Sequence, residues 1–114
     1  MGVRIELLVV PGCPHTVAAT LALAEAARQA GVGDAPVTVT VVRSDQQARE
    51  RGFVGSPTFL FDGADPFATA GAPVGLACRV YSSGSGLTGV PELDELRDAL
   101  LRADIGRASA AGDR

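Results

Sequence analysis

From Val3 to Val10 the chain is dense in Ile, Leu and Val, the pattern of a strand buried on both faces. It stops at Pro11-Gly12. From Pro14 a helical period runs to about Ala30, with Val17, Leu21, Ala24 and Ala27 or Arg28 recurring near one face and Gly31 suited to a left-handed cap. Pro36 to Val42 alternates Val with Thr, which predicts a strand with one face more buried. Ser44 and Gln47 stand at capping-box spacing, and Asp45 suits the positive end of a helix. A short polar helix over Asp45 to Arg51, closed by Gly52, follows.

Thr58 to Phe61 reads as a third strand and Asp62-Gly63 as the turn after it. Ala64 to Leu76 is rich in Ala, Gly and Pro without an apolar period, and is expected to be a long loop. Cys78 to Tyr81 reads as a fourth strand and Ser82 to Gly89 as a flexible turn region. Pro91 opens an amphipathic helix with Leu93, Leu96, Leu100 and Ala103 on one side. The order β-α-β-α-β-β-α predicts an α/β domain with a central mixed four-stranded sheet flanked by helices. Its first two strands should be parallel and its last two antiparallel. The domain is placed over 1–103, with a flexible C-terminal tail over 104–114. Element order alone leaves ferredoxin-like and other small α/β folds open.

The 114 residues, 46% of them hydrophobic, suffice for one buried core. A net charge of −3 without blocks of either sign gives no nucleic-acid footprint. No apolar run approaches the roughly 20 residues needed to span a bilayer, and the opening residues carry no cleavage or acylation signal. The expectation is a cytoplasmic protein with no membrane partner, no cofactor, and a protein or small molecule to act on. Its two cysteines, Cys13 and Cys78, match no zinc spacing, so no metal site is expected.

Cys13 precedes Pro14, which suits the first position of a helix, so its sulfur is expected among backbone N–H groups that have no carbonyl partner. Such donors favour thiolate and bring thiols to pKa values of about 3.5 to 7.5. A protonated His15 and a Thr16 hydroxyl bond would act in the same direction. The other reading makes Cys13 an inert small hydrophobe and His15 a solvated first-turn residue.

The tetrad Cys13-Pro14-His15-Thr16 resembles the thioredoxin-family active-site segment, where a Cys-x-x-Cys or Cys-x-x-Ser/Thr motif joins the first core strand to the first core helix. Its Pro-His pair is similar to that of the DsbA-type oxidoreductases, with Thr16 where those proteins have a second cysteine. Val54-Gly55-Ser56-Pro57-Thr58 resembles the family's second segment, in which a cis-proline begins the third strand beside the cysteine. There the preceding residue offers backbone hydrogen bonds to an extended substrate. The resemblance thus implies Cys13, His15 and Thr16 as catalytic residues, and Pro14, Ser56 and Pro57 on the substrate side. Asp65-Pro66-Phe67 with Gly75 to Tyr81 is similar to small bacterial thioredoxin-family proteins of unassigned substrate.

The activity implied is thiol-disulfide exchange through one cysteine, with the mixed disulfide resolved by an external thiol. Cys78 is the internal candidate for a resolving thiol. If it opens the return strand, four or five residues at about 3.3 Å each put it some 15 Å from Cys13, and a structural role is expected; the alternative is that the long loop brings Cys78 back over the site. Two rivals are a non-catalytic thioredoxin-fold binding module, and capture of a soft metal or metalloid by Cys13 with Cys78.

Overall fold

β1 (Ile5–Val9) carries apolar side chains on both faces and takes the middle of a three-stranded sheet, where both faces are covered. It pairs in parallel with β2 (Val37–Val41), Ile5 opposite Val37, and antiparallel with β3 (Thr58–Phe61), Ile5 opposite Phe61. The computed structural model describes residues 3–68, 71–77, 79, 81–83 and 86–112, with 82, 83, 86, 87 and 105–112 described as backbone only.

The parallel β1-β2 crossover is made by α1 (Thr16–Gln29), which packs beside α3 (Leu93–Gly112) on one face of the sheet. The core on that side joins Ile5, Leu7, Val9, Phe59 and Phe61 to Leu23 of α1 and Leu96 and Leu100 of α3. On the other face Leu8 and Leu60 pack with Val42, Phe53 and Ala48 of α2 (Asp45–Arg51). The α2 helix is closed as its sequence dictates. Ser44 Oγ accepts the Gln47 N–H at 3.1 Å, and Gly52 takes a left-handed φ of 61°. Glu6 ties this layer to the sheet, accepting from the Thr40 hydroxyl at 2.7 Å and from Arg51.

The expected four-stranded central sheet is not formed. Among the described residues the sheet has three strands, and β4 (Tyr81–Ser83) pairs with β5 (Gly86–Thr88) in a separate hairpin. The element order is therefore β-α-β-α-β-β-β-α, with a strand inside the 82–89 stretch expected to be a turn. The reason lies just after β3. Asp62 and Gly63 turn with φ of 54° and 85°, and Phe61 and Ala64 make one bridge. Pro66, which has no N–H, and the Asp65 carboxylate, which accepts the Phe67 N–H at 2.8 Å, then lead the chain off the ladder.

Other boundaries also differ. The α1 helix starts with His15 as its cap, which leaves Pro14 outside it. Its buried stripe is Ala19, Leu23, Ala26 and Ala27, whereas Val17 and Leu21 are 71% and 66% exposed. An Ala-rich helix offers two apolar stripes, and the one with more alanine permits the closer approach to the sheet and to α3. Val37 and Val39 of β2 are exposed, so neither face of that strand is well covered. The α3 helix continues past Ala103 to Gly112. Among the described residues no helix is long and apolar enough to cross a membrane.

Candidate functional site

The chain leaves β1 through a turn in which the Cys13 N–H bonds the Val10 carbonyl at 3.2 Å and Gly12 takes φ +70°. This places a half-buried Cys13 just ahead of α1. Burial by itself would push the thiol up. Hydrogen bonds from the Ser56 hydroxyl, the His15 amide, and the Thr16 hydroxyl and amide outweigh it, and Cys13 lies below the ordinary value of 9.0. Donors of this kind stabilise a charged sulfur more than a neutral one.

Ser56 is fully buried, and its Oγ accepts the Val10 N–H at 3.1 Å. A serine hydroxyl has one hydrogen to give, and that acceptor role leaves it for the Cys13 sulfur. Ser56 thus joins the end of β1, the thiol and the start of β3. The Ser56-Pro57 peptide is cis, and Pro57 is also buried. The main chain of Ser56 is engaged as well: its N–H bonds the Ala77 carbonyl at 2.8 Å, and its carbonyl accepts the Arg79 N–H at 2.9 Å.

Arg79 is anchored from several sides. Its guanidinium donates to Asp65 at 2.7 Å and to the Phe67 carbonyl at 2.6 Å, and lies 4.8 Å from the centre of the Tyr81 ring. The paired side chains are only 9% and 16% exposed, and removing one partner of a pair this buried costs about 3–5 kcal/mol. The Tyr81 hydroxyl donates to the Pro57 carbonyl, and burial pushes its pKa well above the usual phenol range. Gly55 makes this docking possible. It takes φ +139°, and a Cβ there would stand 2.8 Å from Arg79 Cβ.

His15 presents its amide to the sulfur, while its ring lies against Gly89, where an added Cβ would come within 2.5 Å of the imidazole. Pro14 is exposed at the mouth of the turn and Thr16 is half-buried. Val17 and Leu21 leave two large apolar side chains exposed on α1. Among the described residues no three His, Cys, Asp or Glu side chains converge.

Cys78 lies outside the described residues, and with it the expectation of a structural role. The 15 Å separation assumed that Cys78 opens a strand running back along β3. The described sheet contains no such strand. What the structure does describe is that Ala77 and Arg79, its two chain neighbours, both bond Ser56.

Sequence reasoning gave Ser56 a main-chain role and missed its hydroxyl. It also missed Gly55, Gly89, Asp65 and Arg79. A signal for the last pair was present: a single cation in the apolar run Ala77 to Tyr81 needs a buried acid, and Asp65 stands upstream.

The lowered thiol links the site to stability. An acid whose folded-state midpoint is depressed stabilises the folded chain in full above its unfolded value, and that contribution is lost as pH falls through the folded midpoint. The margin of the parent over Cys13→Ser, from denaturant melts, should therefore grow with pH and level off above the ordinary value of 9.0. A margin that stays flat would show that the donors do not act on the sulfur.

No family model, no curated protein and no solved structure matches this chain.

Proposed function

We propose that the protein is a cytoplasmic, thioredoxin-like thiol-disulfide oxidoreductase that works through one cysteine. The observation that carries this reading is the set of four donors around the Cys13 sulfur, supplied by Ser56, His15 and Thr16. An inert cysteine used only for packing needs none of them. The Cys13 thiolate attacks a disulfide R–S–S–R′, forming Cys13–S–S–R and releasing R′–S⁻. A second thiolate, R″–S⁻, then attacks the R sulfur, which gives R–S–S–R″ and restores Cys13 as thiolate. The bonds and electrons balance over the two exchanges, and an external thiol is the only co-reactant. Thr16, having no sulfur, holds the thiolate and leaves resolution to that thiol.

The test is to treat the protein with a small symmetric disulfide, map the adduct by mass spectrometry, and titrate Cys13 alkylation against pH. The expected result is one adduct, on Cys13, with an alkylation midpoint below 9.0. No adduct, together with an ordinary thiol midpoint, would leave the non-catalytic binding module as the better reading.

A second reading, in which Cys78 resolves the mixed disulfide, is favoured by one observation: the residues flanking it both bond Ser56, whose hydroxyl bonds the Cys13 sulfur. It predicts an intramolecular Cys13-Cys78 bridge after mild oxidation at low protein concentration. The one-cysteine cycle predicts mixed disulfides with the added thiol instead.

A further inference from the structure

An extended polypeptide docks on a strand edge by bonding its own N–H and C=O groups to those the edge leaves open. At Ser56, next to the reactive sulfur, both groups are already used: the N–H by Ala77 at 2.8 Å and the carbonyl by Arg79 at 2.9 Å. Two bonds from one segment, one on each side of a single residue, are the pattern of a neighbouring strand in a ladder. The chain itself therefore stands where a docked polypeptide would pair. This contact is built in, because Gly55 has no Cβ to keep Arg79 away and the Arg79 guanidinium is held by Asp65 and the Phe67 carbonyl.

The sulfur remains approachable from another side. Pro11, Gly12 and Pro14 are exposed around it and Cys13 is half-buried. A small disulfide needs only in-line access to that sulfur. We propose that Ala77 and Arg79, latched by the Arg79-Asp65 ion pair, occupy the main-chain docking position at Ser56 and so restrict Cys13 to small-molecule disulfides, excluding extended polypeptides. This rests on the thiol-disulfide reading above. The step itself is unchanged: the thiolate forms Cys13–S–S–R and the second half of the disulfide leaves as R′–S⁻, with no further oxidant or reductant.

The experiment uses the full chain and three disulfides sharing one leaving thiol: a small-molecule disulfide, a short peptide with a central cysteine, and the same peptide N-methylated on either side of that cysteine. Rates of Cys13 adduct formation are compared. With the parent, the small disulfide should react at least about tenfold faster than either peptide, and the two peptides should agree within about twofold, since methylation removes bonds they do not make. In Asp65→Asn, where the latch is weakened, the unmethylated peptide should gain about fivefold over its methylated twin. A parent that reacts about tenfold more slowly with the methylated peptide would overturn the proposal, because Ser56 would then be pairing with substrate. A folded Asp65→Asn without any gain would overturn it too. Should that variant not fold, the parent comparison decides alone. Failure of all three disulfides to modify Cys13 would overturn the oxidoreductase reading itself, and the small disulfide distinguishes that outcome.

Discussion

Ser56→Ala is expected to raise the pH midpoint of Cys13 alkylation and to slow the reaction below that midpoint by about tenfold, the worth of one hydrogen bond to a charged group. Ser56 is one of the groups that hold the thiol below its ordinary range, and it is supplied by a segment far from Cys13 in sequence. The midpoint, taken from the full pH profile, is the quantity to read. A thiolate of higher pKa is intrinsically the better nucleophile, so at high pH the variant will match or slightly exceed the parent. The same change orphans the Val10 N–H, which loses its acceptor at 3.1 Å, and a stability loss of about 1–3 kcal/mol should accompany it. Thr16→Val is the comparison, and it should shift the midpoint less, because the Thr16 amide still reaches the sulfur. An unmoved midpoint in Ser56→Ala would mean that its hydroxyl points elsewhere.

Thr16→Cys should convert a one-cysteine exchange into a dithiol reduction. With a symmetric small disulfide and no added reductant, the parent is expected to stop at the Cys13 mixed disulfide, having released one leaving thiol per chain. The variant should release two, because the new thiol lies within a turn of Cys13 and attacks the mixed disulfide, leaving an internal bridge. Effective molarities of well-oriented intramolecular groups reach about 10⁵ M and above, and even ~0.1 M outruns an external thiol at ~1 mM by about 100-fold. Counting released thiol with a chromogenic disulfide checks this. A variant that still releases one equivalent would show that side chain 16 cannot reach the Cys13 sulfur of the mixed disulfide. A parent that releases two without the substitution, and retains no reagent half on the chain by mass, would point to Cys78 as its resolving thiol.

The segments legible in the sequence are those whose signals are local. Ser44, Gln47 and Gly52 define both ends of α2 within a few residues, and Asp62-Gly63 marks the end of β3. The position of Cys13 after the first strand follows from the Pro11-Gly12 break in the same way. Where partners are distant, the pattern is silent. The apolar run Cys78 to Tyr81 reads as a strand, but nothing in it says where the strand begins or what it pairs with, and the structure starts β4 at Tyr81 and pairs it with β5. The stripe of α1 that faces the core was likewise undecided among so many alanines, and packing left Val17 and Leu21 outside. A serine before a proline has no pattern that reveals its hydroxyl, because the groups it joins, Val10 and Cys13, come from another part of the chain.

The placement of β2 at the rim of the sheet bears on how the molecule behaves in a crowded solution. Val37 to Val41 contains no Pro, Lys or Arg, the residues with which natural proteins blunt an exposed edge, and two of its valines lie partly in water. The other rim is different: every residue of β3 is buried. The three-stranded sheet therefore offers one sticky rim instead of two. Edge-to-edge pairing through a single rim is isologous and closes at two copies, whereas a second open rim would let it propagate into fibres.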